Sequence, residues 1–214
     1  MPNSPAHPVK VYSAPVSGHA HRVRLFLSLL GLPFECIDLD LAQREQRTPE
    51  FLARNAFGQV PVIEDGEVTL ADSNAILVYL NARYAADPAR WLPHDAVGAA
   101  RVQRWLSVAA GPLAYGPAAA RVVTVFGMST DPTEVIKRSH ALLGVMETEL
   151  QSQAFLAADR PTLADIANYT YVAHAPEGNV SLAEYPQVRA WLARIEALPG
   201  FVPLVRTPVG LAAA

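Results

Sequence analysis

The stretch from Asn55 to Ile76 constrains this chain more than any other: Asn-Ala-Phe-Gly-Gln-Val-Pro-Val-Ile-Glu-Asp-Gly-Glu-Val-Thr-Leu-Ala-Asp-Ser-Asn-Ala-Ile. Residues 60–64 are a short apolar run of strand type, Asp65-Gly66 is a hairpin turn because glycine tolerates positive φ, and residues 68–71 are the return strand. Pro61 has no N–H, so it belongs at a strand start or a sheet edge, and it is a candidate for a cis bond. Asp72 and Ser73 stand where a helix begins, with Ser73 able to cap it. A helix N-terminus offers free N–H groups and a positive dipole end, which suit a carboxylate. The backbone of Val60 could pair with an extended peptide, and Asp72 could hold an ammonium group. A ligand with an α-amino-acid head and a peptide backbone would satisfy all three. A plain hairpin followed by a capped helix is the competing reading of the same residues.

The flanking sequence fits a mixed sheet. Residues 9–12 are a first strand and 13–18 a loop. Residues 19–30 form a helix with an apolar stripe at Val23, Leu25, Phe26, Leu29 and Leu30 and Gly31 beyond its end. Residues 34–39 are a second strand. Residues 48–55 are a short helix capped by Thr48 with Pro49 in first place. After the hairpin, residues 73–84 are helical. Strand-helix-strand-helix-strand-strand-helix implies a right-handed crossover and an α/β domain over residues 8–85. Residues 86–95 hold Asp87-Pro88 and Pro93 and read as a linker. From 96 to 214 the strand signals vanish. Helices are expected over 98–113, 118–126, 133–152 and 187–198, with Gly111-Pro112 and Gly116-Pro117 breaking the first pair. Thr162 and Asp165 have the spacing of a capping box. The fold class is therefore α+β: an N-terminal α/β domain plus an all-α C-terminal domain.

Composition excludes several functions. Hydrophobic residues are 51% and charged residues 17%, enough for a packed core, and the net charge of −3 carries no basic block of the kind that binds nucleic acid. No apolar run reaches the roughly 18 residues that span a bilayer. Residues 1–8 lack the pattern of a signal peptide and read as a short disordered arm. Cys36 is the only cysteine, which fits a reducing, cytoplasmic setting; it lies in a strand and is expected to be buried and inert. The histidines are scattered, and His19 and His21, two apart on a helix, do not face one another, so no metal site is expected.

Asn-x-Phe-Gly-Gln-Val-Pro, the hairpin and Asp-Ser-x-Ala-Ile together resemble the glutathione-binding core of the glutathione S-transferase superfamily. The likeness extends over most of the chain and implies a thioredoxin-like first domain, glutathione as co-substrate, a homodimer, and addition of the glutathione thiolate to small hydrophobic electrophiles. A glutathione-dependent peroxidase or disulfide reductase, and a non-catalytic glutathione-binding module, are the alternatives. With Cys36 outside the first loop, the chain lacks the cysteine of the beta and omega classes.

A thiol of pKa about 8.5 is only a few per cent ionised at pH 7. Bringing it near 7 takes about 2 kcal/mol, which a hydroxyl at a helix N-terminus can supply. Ser17 stands just before the first helix and aligns with the catalytic serine of the phi-, theta- and nu-like classes; it also reads as a helix N-cap. Tyr12, which resembles the place of the alpha, mu and pi tyrosine, Ser13 and His19 are the alternatives. For glutathione, the resemblance implies the Val60 backbone beside Pro61, Gln59 near the γ-glutamyl or cysteinyl part, Asp72 at the amino group, Ser73 at the carboxylate and Arg47 at the glycine carboxylate. Relatives more often carry Glu where Asp72 stands and Arg where Asn74 stands. The electrophile pocket is expected across the domain cleft at Tyr115, Gly116, Ala119 and Val123.

Overall fold

The computed structural model describes residues 4–213. The chain falls into two compact units: one runs up to Pro88 and takes in Leu198–Leu204, and the other comprises Ala89–Ala197 and the chain from Val205 onward. Of the N-terminal arm, residues 1–3 lie outside the described residues. Residues 4–7 are laid against the hairpin, where they help line an open cavity of about 670 Å³ with Asp65, Tyr79 and Tyr84.

In the first unit the order is β1 (Val9–Ser13), α1 (Gly18–Leu29), β2 (Phe34–Asp38), a 3₁₀ turn (Glu45–Arg47), α2 (Pro49–Arg54), β3 (Val62–Asp65), β4 (Val68–Ala71) and α3 (Ser73–Tyr84). The sheet order is β2-β1-β3-β4, with β2 parallel to β1 and the other neighbours antiparallel. A parallel pair needs a crossover, and α1 supplies it. Thr48 caps α2 with Pro49 first, as the sequence predicts. Alternation along the strands makes two cores. Tyr12 and Val62 meet Phe51 of α2, with Ile37, Leu39, Val60 and Ala71 around them. Val9, Val11 and Ile63 point the other way and are fully buried, as are Val23, Phe26 and Leu27 of α1 and Ile76, Leu77 and Leu80 of α3. Each such side chain contributes about 1.5–3 kcal/mol on burial. The returning segment Leu198–Leu204 is fastened to α1: His21 Nε2 donates to the Val202 carbonyl at 2.8 Å and the Ser28 hydroxyl to that of Gly200 at 2.7 Å.

Among its described residues the second unit has helices and loops and no strand. It comprises α5 (Ala96–Ala110), a π-helical turn (Ala114–Ala118), α6 (Ala119–Phe126), α7 (Pro132–Glu149), α8 (Leu163–Ala173), a 3₁₀ turn (Ala175–Gly178), α9 (Pro186–Glu196) and a last 3₁₀ turn (Gly210–Ala213); the short α4 (Pro88–Trp91) precedes α5. The break expected at Gly116-Pro117 is the π turn, which accommodates a proline without an N–H. Gly116 lets that turn approach α7: a Cβ there would lie 3.2 Å from the Ser139 nitrogen. Asp165 is fully buried and accepts from the Thr162 N–H at 2.8 Å, the Leu156 N–H at 2.9 Å and Trp191 Nε1 at 2.9 Å. It thus ties the start of α8 to a preceding loop and to α9. A second buried polar group joins Arg121 to Glu177 at 2.6 Å, with His174 Nδ1 2.6 Å and the Thr207 hydroxyl 2.6 Å from the same carboxylate. Burial alone would raise the Glu177 pKa, but Thr207, His174 and Arg121 outweigh it and take it down to about 2.

Within the stretch read as linker lies α4, with Trp91 buried at its end. Two expectations are corrected. The cap of α3 is Asp72, not Ser73: its carboxylate accepts from the Asn74 and Ala75 N–H groups, both at 2.9 Å. Cys36 is exposed rather than buried. It lies on β2, an edge of the sheet, so the neighbouring elements cover it on fewer sides than a central strand. Partial burial still raises its thiol pKa, with Arg24 opposing.

Candidate active site

The strand register builds the site. Tyr12, Val62 and Ala71 form one row across β1, β3 and β4. Beyond that row the chain leaves β1 through residues 14–17, enters β3 from Val60 and Pro61, and leaves β4 at Asp72 and Ser73. Because β1 and β4 run the same way, α1 and α3 both begin at this end and aim their N-termini toward it, a convergence of positive dipole ends that favours an anion.

Ser17 caps α1. Its Oγ accepts from the Ala20 N–H at 3.2 Å, which occupies a lone pair and leaves the O–H to donate elsewhere. Capping and donation to sulfur therefore use different parts of one hydroxyl. Pro61 is joined to Val60 by a cis bond, and Val60 precedes the paired residues of β3. Asp72 has φ 70° and ψ 120°, a conformation that costs a non-glycine residue about 1–3 kcal/mol and clusters at ligand sites. Ser73 is buried at the first position of α3. Its Oγ accepts from Arg22 Nη1 at 3.0 Å and lies 3.4 Å from His19 Nδ1. The same Nη1 donates to Asn74 Oδ1 at 3.0 Å. A polar line thus runs from the start of α1 to the start of α3.

The loop before Pro61 is shaped by Asn55, whose Nδ2 donates to the Gln59 carbonyl at 2.8 Å and whose Oδ1 accepts from the Phe57 N–H at 3.1 Å. Gly58 has φ +59°, and a Cβ there would lie 2.8 Å from both Arg47 Nη1 and the Gln46 carbonyl. Arg47 is exposed and donates to the Phe57 carbonyl at 3.1 Å, so it braces this loop. Gln59 is exposed beside it.

The alternatives to Ser17 stand differently. Tyr12 lies on the α2 face, edge-on to Phe51 with ring centroids 6.1 Å apart and with the Arg54 guanidinium 4.8 Å above its ring. Burial first, then the Glu64 carboxylate, raise its pKa. Glu64 lies two residues beyond Val62, the residue of β3 that pairs with Tyr12. Ser13 is fully buried, with its hydroxyl 3.4 Å from the Ala14 carbonyl. His19 is at the edge, but burial and then the neighbouring Arg22 push its pKa down to about 3. It is a neutral imidazole there, not a cation for a thiolate. In the second unit, Tyr115 is exposed, Ala119 and Val123 are half-buried and Gly116 is buried against α7. Arg22 and Asn55 were not identified as site residues from the sequence: nothing local in it marks a buried arginine with partners 51 residues away. Among the described residues no three His, Cys, Asp or Glu come together to hold a metal ion, and no helix is long and apolar enough to cross a membrane.

Residues 7–82 match the glutathione S-transferase N-terminal domain and residues 113–199 the C-terminal domain of the same name. Glutathione S-transferase 3 of Zea mays is 35% identical over 208 residues, 91% of this chain and 91% of the maize protein. The chain belongs to the glutathione S-transferase family. A glutathione S-transferase crystal structure from Pseudomonas fluorescens superposes with a TM-score of 0.87 at 32% identity, covering 93% of this chain and all of that one. A glutathione transferase homologue from Drosophila mojavensis, solved with bound glutathione, gives 0.78 at 30% identity over 90% and 89% of the two chains. The N-terminal match of the glutathione S-transferase family covers the whole sheet and the starts of both α1 and α3.

Proposed function

We propose that the chain is a glutathione transferase. Glutathione lies along the edge beyond the Tyr12–Val62–Ala71 row, its peptide backbone paired with Val60 next to cis-Pro61 and with Gln59 alongside. Ser73 receives the γ-glutamyl carboxylate at the start of α3, Asp72 receives the amino group, and Arg47 is the cation nearest the glycine carboxylate. Ser17 donates its hydroxyl hydrogen to the sulfur. Together with the dipole of α1 it favours the thiolate, which attacks a small hydrophobic electrophile. Tyr115, Ala119 and Val123 of the helical unit supply apolar surface for that electrophile, and Gly116 supports them through its close packing on α7. The reading includes a homodimer and a cytoplasmic setting.

One observation carries it. The register brings the only half-exposed hydroxyl among the thiol-activating candidates, Ser17, to the same sheet end as Val60, Asp72 and Ser73, with two helix N-termini beside it. Conjugation of glutathione to a generic aromatic halide tests the reading. Ser17→Ala is expected to lower turnover at least about tenfold while leaving glutathione affinity nearly intact, as when an interaction made with the thiolate is lost. Full turnover in Ser17→Ala would remove the serine from the mechanism.

A further inference from the structure

We propose that Arg22 is a positioning residue for the amino-acid head of the ligand: its buried guanidinium fixes Ser73 and Asn74 and, through the Ser73 hydroxyl, brings positive charge to the seat of the α-carboxylate. The inference rests on the function proposed above.

Arg22 is 1% exposed, in the interior of α1. Burying a guanidinium is costly, and an apolar side chain of similar length would fill the space at lower cost. Two of its hydrogen bonds reach the start of α3. Nη1 donates at 3.0 Å to Ser73 Oγ and at 3.0 Å to Asn74 Oδ1, the first two side chains of α3. Asp72 meanwhile takes the N–H groups of Asn74 and Ala75. Two first-turn amides that would otherwise greet an anion are thereby used by the cap. Ser73's own N–H and hydroxyl are the donors that Asp72 does not take.

The hydroxyl's strength then decides the seat. Its oxygen accepts from a permanent cation, so the O–H turns away from Arg22 and is polarised into a stronger donor. The inward partner, His19 Nδ1 at 3.4 Å, is at the long limit of a hydrogen bond. A ligand carboxylate, bonding with charge assistance, displaces it. Arg22 thus touches no ligand atom; it orients the group that does.

The test uses the full-length protein, with calorimetry and steady-state kinetics. Two ligands are compared: glutathione, and the analogue in which 4-aminobutanoyl replaces the γ-glutamyl residue, so that the α-carboxylate is missing. Arg22→Met is expected to raise Kd and KM for glutathione about tenfold or more, with kcat within about twofold and binding of the analogue unchanged. Arg22→Lys, which keeps the charge, is expected to restore binding to within about threefold of the unsubstituted protein. Combining Arg22→Met with Ser73→Ala is expected to cost little more than either alone, because the two act in series. If Arg22→Met does not fold, Arg22→Gln, which keeps amide donors and drops the charge, carries the same expectation. A folded variant that weakens both ligands equally, or neither, overturns the inference, as do independent effects in the double variant. Failure of the unsubstituted protein to bind glutathione overturns the proposed function as well.

Discussion

Replacing Ser17 by alanine removes two contributions at once, and they can be separated. The first is the α1 cap. The Ser17–Ala20 bond is 3.2 Å, at the long end of the normal range, so its loss costs about 1 kcal/mol. For a chain of this length that lowers the melting temperature by about 2–4 °C. The second contribution falls on bound glutathione. Without the hydroxyl, its thiol pKa returns from near 7 toward about 8.5, a change worth about 2 kcal/mol. At pH 6.5 this leaves roughly twentyfold less thiolate. The variant and the unsubstituted protein are followed by ultraviolet absorbance of the bound thiolate against pH, by the pH–rate profile of conjugation and by thermal melting. Ser17→Asp then divides the effects. A carboxylate is an excellent N-cap and suits the helix dipole, so this variant is expected to melt no lower than the unsubstituted protein, yet it sets a negative charge beside the sulfur and raises the thiol pKa. A Ser17→Ala protein that melts lower but ionises the thiol as before would refute the reasoning and leave Ser17 as a cap alone.

Asp165→Ala leaves the Thr162, Leu156 and Trp191 donors buried without their acceptor, and urea unfolding is expected to show a loss of about 3–5 kcal/mol; a loss under about 1 kcal/mol contradicts its role. Stability should fall with acid in two stages. Burial lowers the His174 pKa below its ordinary 6.5, so its contribution is present above pH 6.5 and is lost as the pH drops below that. Glu177, held at about 2 against an ordinary 4.5, contributes above pH 4.5 and loses that contribution as the pH falls toward 2. Melting curves across this range should show both stages, and Glu177→Gln should flatten the lower one. Cys36 is expected to react with a thiol reagent in the native protein, slowly at pH 7 and faster as the pH rises, because its pKa is raised. A requirement for urea to reach it would contradict its edge position.

Much of this architecture could be read in the sequence because its signals are local. The hairpin signal at Asp65-Gly66, which the structure realises one residue on as a Gly66-Glu67 turn, Pro61 at a strand entry, the Thr48-Pro49 helix start and the Thr162–Asp165 spacing each act within a few residues. What escaped the sequence depends on long-range order. Alternation says which residues of β2 share a face, but not that β2 would be an edge, and that decides whether the Cys36 thiol meets solvent. Asp72 and Ser73 are both good caps; Asp72, at φ 70° where the chain leaves β4, takes the role. The helix α4 is short and begins at a proline, Pro88, with little periodicity to detect, and Trp91 holds it by tertiary burial. Nothing local in the sequence singles out Arg22, and the packing of α1 against α3 gives it partners at Ser73 and Asn74. The register aligns Tyr12 with Val62 and Ala71 and so brings the exits of β1 and β4 to one end of the sheet, a pairing across some sixty residues that no local pattern shows.

The most direct measurement is a crystal structure of the protein with glutathione. The account expects the sulfur within hydrogen-bond distance of Ser17 Oγ, the cysteinyl backbone paired with Val60 and the γ-glutamyl carboxylate on Ser73. A tripeptide bound away from the starts of α1 and α3, or a sulfur in contact with the Tyr12 hydroxyl instead, would contradict it.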